Sequence, residues 1–163
     1  MAKKIYIVIP HTSNWDFPVG ILAKFGYHMD VQYVAKDSLF RPPFGWFFRW
    51  TGGIPVDRSK KNNFVDATVE SMNKYDKISI CLAPEGTRKR VDKLKSGFYW
   101  ISHKSGVPLI FVRFDWGKMI MSYSDPFVPT GDYEADLKII EDHFKDAIGR
   151  IPEYGIYYEK DQS

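Results

Sequence analysis

Short apolar runs alternate along this chain with longer amphipathic segments, and this alternation constrains the fold more than any other feature of the sequence. The apolar runs predict strands at residues 4–10, 31–36, 54–58, 77–84, 107–114, 118–127 and 154–159. The amphipathic segments predict helices at residues 16–27, 62–74, 97–105 and 133–148. Because strands that alternate with helices usually pair in parallel, we expect an α/β fold with a mostly parallel mixed sheet flanked by helices. The turn "DWGKM", residues 115–119, predicts one antiparallel hairpin.

The composition predicts a single domain over residues 1–163, with 44% hydrophobic and 26% charged residues. The sequence lacks the run of about eighteen apolar residues that a transmembrane helix needs, and the apolar run before Pro10 is too short for a signal peptide. The single cysteine, Cys81, excludes an internal disulfide and a cysteine-based metal cluster. Its apolar neighbours predict a buried, unreactive thiol in a reducing cytosol.

Charge is distributed unevenly along the chain. Residues 36–104 hold 14 Lys and Arg against 7 Asp and Glu, whereas residues 131–163 hold 4 against 9. The basic middle favours an anionic partner such as phosphate groups, an anionic membrane surface or nucleic acid, although a solvated basic surface gives the same pattern.

The loop after the first predicted strand, "PHTSNWDFPVG", places His11 five residues ahead of Asp16. One interpretation is a general base and its orienting carboxylate. The other is a helix start, since Ser13, Asn14 and Asp16 are capping residue types and Pro18 suits a first turn. Residues five apart on one helix point about 140° away from each other. The pair therefore meets only if His11 lies in the loop and Asp16 in the first helical turn.

The loop after the strand at residues 77–84 is "APEGTRKR". Gly86 permits a positive φ or a close approach to a ligand, and the planar guanidinium of Arg88 suits a phosphate or carboxylate. The alternative is an ordinary turn in which Thr87 bonds locally and the basic residues face water.

A third polar loop is "GGIPVDRS", in which Arg58 follows Asp57. Arg58 is either a second cationic ligand for an anionic substrate or half of a surface ion pair. The first two loops follow predicted strands, and residues 55–59 ("PVDRS") lie at the end of the short third one. In a parallel sheet the carboxyl ends of strands meet at one edge, where ligands bind, so we expect these loops to converge there.

These loops and two apolar segments resemble, in order, the sequence blocks of the glycerolipid acyltransferase superfamily, the 1-acylglycerol-3-phosphate acyltransferases. "HTSNWD" is similar to the His-x4-Asp block, and "GGIPVDR" is similar to the second block. "PEGTR" followed by "LKSGF" is similar to the third, and "GVPLIFV" is similar to the fourth. Many relatives have Asn before the histidine, where this chain has Pro10. The resemblance implies the single-domain glycerol-phosphate acyltransferase-like fold of the short bacterial members.

The resemblance implies transfer of a fatty acyl group from an acyl thioester to a hydroxyl of a lysophospholipid or glycerol phosphate. His11 would act as general base and Asp16 would fix its tautomer. The two arginines in the matching blocks would hold the acceptor phosphate, while the "EGT" positions would shape its site. The implied substrate-binding residues are Arg58, Glu85, Gly86, Thr87 and Arg88. We expect neither a serine nucleophile, because no Gly-x-Ser-x-Gly elbow is present, nor a metal site.

The implied donor is acyl-CoA or acyl-carrier protein, which is a co-substrate rather than a bound cofactor. The implied partners are a lipid acceptor and an anionic membrane surface, with no nucleic acid, for a cytoplasmic protein held peripherally on the inner face of the cell membrane. The alternatives are a coenzyme-independent transacylase, an acyltransferase for another amphipathic alcohol, and a non-catalytic lipid-phosphate-binding module.

The segment "FRPPFGWFFRW", residues 40–50, concentrates six aromatic rings. It fits a buried aromatic helix. It equally fits an interfacial patch whose rings enter a bilayer while Arg41 and Arg49 meet anionic headgroups. In either arrangement the rings are candidates to line an acyl-chain pocket.

Overall fold

The computed structural model describes residues 2–56 and 64–157, which contain one six-stranded sheet. The strands are β1 (Lys3–Ile9), β2 (Gln32–Lys36), β3 (Gly53–Val56), β4 (Ile78–Leu82), β5 (Leu109–Asp115) and β6 (Ile120–Tyr123). Their order across the sheet is β3-β2-β4-β1-β5-β6. All neighbouring pairs are parallel except β5 and β6, which form an antiparallel hairpin. The predicted mostly parallel mixed sheet and its single hairpin are confirmed.

Five α-helices of the described residues connect and cover these strands. They are α1 (Asp16–Gly26), α2 (Gly45–Trp50), α3 (Phe64–Asn73), α4 (Gly97–Ser105) and α5 (Tyr133–Phe144). α5 begins where the side chain of Asp132 accepts a hydrogen bond from the backbone N–H of Ala135 at 3.1 Å, an ordinary N-cap. The predicted helix at residues 97–105 has the bounds of α4.

The predictions for three segments in the last third of the chain differ from the structure. β6 ends at Tyr123 rather than at residue 127. The backbone N–H of Phe111 donates to the hydroxyl of Ser124 instead of to a backbone carbonyl, and Pro126 has no N–H to donate. α5 ends at Phe144 rather than at residue 148, because the chain turns to pack against the β5–β6 hairpin. The predicted strand at residues 154–159 is wrong over its described part, residues 154–157.

That last segment is not extended, since Pro152–Tyr154 form a 3₁₀ helix and Gly155 follows. Ile156 and Tyr157 pack against the main core without pairing to a strand. Their apolar side chains are partly buried by this tertiary contact, which is why the apolar run was a misleading strand signal. Residues 158 and 159 lie outside the described part of the chain.

The two faces of the sheet are covered to different extents. Along β1, Ile5, Ile7 and Ile9 point to one face, and Tyr6 and Val8 alternate to the other. The first face carries the main core, to which α3, α4 and α5 contribute buried side chains. The second face carries a smaller cluster, with α1 packed over it. This incomplete cover leaves room for a pocket between α1 and the sheet.

Candidate active site

The loop between β1 and α1 brings His11 and Asp16 into direct contact. Nδ1 of His11 lies 3.0 Å from Oδ2 of Asp16. Asp16 is the first residue of α1 and His11 lies in the preceding loop, which is the arrangement that the spacing requires. A carboxylate only accepts hydrogen bonds, so Nδ1 carries a hydrogen, and in the neutral imidazole the lone pair is then on Nε2. The imidazole is 24% exposed, whereas the Asp16 side chain is 2% exposed.

The Asp16 carboxylate is fixed by further donors. Its Oδ2 also accepts from the backbone N–H of Thr12 at 3.0 Å and of Ser13 at 2.9 Å. Its Oδ1 accepts from Nε1 of Trp116 at 2.7 Å. None of the predicted capping residues Ser13, Asn14 and Asp16 is the N-cap, which is Trp15 and makes no side-chain capping bond, although Oγ of Ser13 accepts from the backbone N–H of Trp15 at 3.2 Å. Asp16 instead reaches back to the loop N–H groups, and these bonds shape the loop that carries His11.

Glu85 lies beneath that loop. Its Oε2 accepts a 2.6 Å hydrogen bond from the backbone N–H of His11, and the residue is 2% exposed. Burial is the main cause that raises the pKa of the Glu85 carboxyl to about 7; the hydrogen bond from His11 opposes this rise, and the negative charge of Asp16 adds to it. The role of Glu85 in shaping the acceptor site stays a prediction; in the structure Glu85 supports the backbone of His11 and is not among the residues that line the pocket described below.

The turn after Glu85 lies on the rim of the site. Gly86 has φ +66°, so the expected positive φ is present, and the Lys95 side chain passes over it. Thr87 and Arg88 are exposed and line the same pocket as His11. Arg58, the other predicted cation, lies outside the described residues, two positions beyond the end of β3.

A pocket of about 760 Å³ extends from His11 between α1 and the second face of the sheet. Its volume lies within the ordinary range for small-molecule sites. Most of its lining is apolar and comes from α1 and the sheet, including Val8, Phe17, Ile21, Val34, Val112, Phe114 and Met121. The catalytic candidates therefore lie at one end of a largely apolar pocket.

The pocket also contains two tyrosine side chains that no sequence motif indicates, together with Cys81. Tyr6 and Tyr123 line it with their rings 6.4 Å apart, and burial raises the pKa of both hydroxyls. Cys81 lines it as well, and burial raises the pKa of its thiol to about 12. These groups are protonated and uncharged near neutral pH. The strand alternation that turns Tyr6 away from Ile5 and Ile7 was the signal that places it on this face.

Aromatic side chains are exposed beside the pocket. Phe44, Trp46 and Trp50 are 66%, 70% and 68% exposed, so residues 40–50 are not a buried aromatic helix, although Phe40 is buried. The ring of Trp50 lies 5.7 Å from the ring of Phe25 on α1. We refer to the exposed rings of Phe25, Phe44, Trp46 and Trp50, together with the exposed Leu22 one turn before Phe25 on α1, as the aromatic surface.

Within residues 2–56 and 64–157, the helices are all too short or too polar to cross a membrane. A family model described as acyltransferase matches residues 2–130, which include the loop with His11 and the turn with Arg88. The chain belongs to the acyltransferase family. The match contains all six strands and ends shortly before α5.

Curated relatives of this acyltransferase-family chain carry the name 1-acyl-sn-glycerol-3-phosphate acyltransferase. The chain is 32% identical over 120 residues to the one from Saccharomyces cerevisiae, covering 68% of this chain and 38% of the relative. It is 31% identical over 150 residues to the one from Haemophilus influenzae, covering 80% and 60%. It is 35% identical over 114 residues to the one from Escherichia coli, covering 67% and 45%. The chain thus spans between 38% and 60% of the lengths of these three relatives.

A solved structure has the same fold. The 1-acyl-sn-glycerophosphate (LPA) acyltransferase from Thermotoga maritima superimposes with a TM-score of 0.61 at 22% identity. The superposition covers 86% of this chain and 62% of that one. The predicted acyltransferase-like α/β fold is therefore confirmed.

Proposed function

We propose that this chain transfers a fatty acyl group from an acyl thioester to a hydroxyl of a lysophospholipid or glycerol-phosphate acceptor. The observation that carries the proposal is the contact between His11 and Asp16 at one end of an apolar pocket, with Arg88 on its rim. Family membership supports the reaction class, and the names of the relatives support the acceptor class.

His11 is the general base of the proposed reaction. Asp16 holds the hydrogen of Nδ1, so Nε2 takes the proton of the acceptor hydroxyl as its oxygen attacks the thioester carbonyl carbon. The carbon–oxygen bond forms, the tetrahedral intermediate collapses, and the carbon–sulfur bond breaks. The imidazolium returns its proton to the leaving thiolate sulfur. Asp16 stabilises the imidazolium while it carries this positive charge.

Arg88 is the proposed ligand of the acceptor phosphate. It is exposed, lies on the rim beside His11, and its guanidinium offers paired N–H donors to phosphate oxygens. Gly86 and Thr87 place it there by turning the chain at the end of β4. Arg58 stays the proposed second cation for this phosphate.

The apolar pocket is the proposed site for an acyl chain. Its length runs from His11 across the second sheet face, and the hydroxyls of Tyr6 and Tyr123 and the thiol of Cys81 are uncharged near neutral pH. An acyl chain there would have its carbonyl end near His11. The proposed donor is acyl-CoA or acyl-carrier protein, used as a co-substrate rather than as a bound cofactor.

The aromatic surface is the proposed contact with an anionic membrane, from which a lipid acceptor is drawn. Exposed aromatic side chains of this extent are typical of interaction sites. Arg41 and Arg49 are exposed in the same segment and provide positive charge for anionic headgroups. This arrangement supports attachment at a membrane face beside the pocket.

The proposed function is tested by thiol release combined with mass spectrometry of the product. The purified chain is mixed with acyl-CoA or acyl-carrier protein and with acceptors that carry or lack a phosphate. We expect one acylated product per thiol released, with a preference for the phosphorylated acceptor. Binding of the acceptor without any product would instead indicate a lipid-phosphate-binding module. Acyl transfer between lipids without a thioester would indicate a transacylase.

A further inference from the structure

Trp116 approaches Asp16 from the turn between β5 and β6, 100 residues further along the chain. Its indole Nε1–H donates a 2.7 Å hydrogen bond to Oδ1 of Asp16. His11 and the loop N–H groups of residues 12 and 13 all bond the other oxygen, Oδ2. Trp116 is not among the residues that line the pocket, and it bonds the carboxylate oxygen that His11 does not contact. The carboxylate is thereby fixed at both oxygens.

Residues 148–151, which we call the C-terminal clasp, hold Trp116 in this position. The backbone N–H of Trp116 donates to the carbonyl oxygen of Ile148 at 2.8 Å. The guanidinium of Arg150 lies over the Trp116 ring, 5.2 Å from its centroid, at a distance typical of a cation–π contact. The clasp lies beyond residue 130, where the match to the family model ends.

The same clasp also contacts the loop that carries His11. The backbone N–H of Ile151 donates to Oγ1 of Thr12 at 3.1 Å, and Thr12 is 1% exposed. Gly149 packs so closely on Thr12 that a Cβ there would lie 2.5 Å from Oγ1. One short segment therefore holds both the residue that bonds Asp16 and the loop that contains its partner.

We propose that Trp116 is a positioning residue for the His11–Asp16 pair and that the C-terminal clasp holds it in place. This inference rests on the proposed function. Asp16 stabilises the imidazolium only while its carboxylate stays aligned with Nδ1 of His11. Two hydrogen-bonded oxygens prevent rotation of the carboxylate, and a buried carboxylate oxygen that loses its donor is left without compensation.

The first test removes the indole N–H and keeps the ring. In one variant Trp116 is replaced site-specifically by benzothienylalanine, which has sulfur in place of the N–H. A second variant, Trp116→Phe, also lacks the N–H and keeps a smaller aromatic ring. We expect kcat to fall about ten-fold, the size of a lost hydrogen bond to a charged group, with both KM values unchanged. The matched control is Trp100→Phe, an indole on α4 at the other face of the sheet, which should keep its kcat.

A second readout is independent of turnover. The 15N chemical shifts of His11 report which ring nitrogen carries the hydrogen, and we expect less of the Nδ1–H form when Trp116 is replaced. Unchanged kcat and unchanged tautomer in the benzothienylalanine protein, with its unfolding temperature retained, would overturn the inference. If the unaltered chain transfers no acyl group, the proposed function fails and the tautomer comparison alone decides the role of Trp116.

The clasp is tested through Gly149. Gly149→Ala forces the new methyl group against Thr12, so we expect kcat to fall several-fold with KM unchanged and the His11 tautomer shifts to move in the same direction as in the Trp116 variants. The control is Gly26→Ala, because a Cβ at Gly26 meets nothing within 4 Å. Equal kcat and equal tautomer shifts in Gly149→Ala and the unaltered chain would overturn the role of the clasp.

Discussion

The backbone N–H of His11 donates to Oε2 of Glu85, a residue 74 positions further along the chain, at a distance of 2.6 Å. The side chain of His11 meanwhile contacts Asp16, so the residue is held through its backbone and its ring by two different carboxyl groups. One of them is held among backbone N–H donors, whereas the pKa of the other is raised by burial to about 7. Asp16 therefore acts on the ring of His11, whereas Glu85 acts on its backbone and makes stability depend on pH.

Glu85 makes the stability of the fold depend on pH. Its pKa of about 7 in the folded protein lies above the 4.5 of an ordinary glutamate, so the folded state binds more protons than the unfolded state between these values. Its contribution to stability is complete below about pH 4.5 and is lost as the pH rises through about 7. When nearly all of this contribution is lost, the free energy of unfolding is lower by roughly 3 kcal/mol.

Glu85→Gln removes the titration and keeps an amide oxygen to accept from His11. We expect the free energy of unfolding of the unaltered chain to decrease from pH 5 to pH 8 by roughly 2.5 kcal/mol relative to that of Glu85→Gln. Urea unfolding of both proteins at each pH measures this difference. Glu153→Gln, at an exposed position, is the control. Parallel pH dependences of Glu85→Gln and the unaltered chain would show that Glu85 does not titrate in this range.

Arg88→Ala is expected to raise KM for a phosphorylated acceptor at least about ten-fold, because a charge-assisted hydrogen bond to phosphate is lost. KM for a phosphate-free alcohol should change little. Initial rates at varied acceptor concentration measure both values. The control is Lys89→Ala, the exposed neighbour that does not line the pocket. An equal rise on both acceptors would contradict a phosphate role for Arg88.

The double variant Trp46→Ala with Trp50→Ala is expected to weaken binding to anionic phospholipid vesicles about ten-fold or more, because two exposed indoles no longer enter the interface. Vesicle co-sedimentation at low salt measures the partition. Tyr75→Ala, an exposed ring that follows α3 on the other face of the sheet, is the matched control. No binding of the unaltered chain to anionic vesicles, or equal binding of both variants, would contradict the membrane contact.

The sequence was most informative where structure is local. The contact between His11 and Asp16 depends on one loop and one helix start, so spacing and helix geometry were enough to state the condition under which the two side chains meet. The positive φ of Gly86 also follows from a single turn.

The sequence was uninformative where contacts join distant segments. Nothing near Trp116 indicates that its indole reaches Asp16, and nothing near Glu85 indicates that it lies under His11 rather than beside a substrate. These contacts exist only because parallel strands bring their carboxyl ends together. The sequence also did not predict that Trp46 and Trp50 are exposed, because an aromatic helix has the same local pattern whether or not another layer covers it.

The measurement that tests the central proposal most directly is the kcat of His11→Ala, with Asp16→Asn beside it and His28→Asn as the exposed-histidine control. We predict a loss of about 10²–10⁴-fold in His11→Ala, the usual contribution of a general base, with the folded fraction retained because the imidazole is partly exposed. Asp16→Asn should also lose activity, and His28→Asn should retain it. Thiol release by His11→Ala at the rate of the unaltered chain would contradict the assignment of His11 as the base.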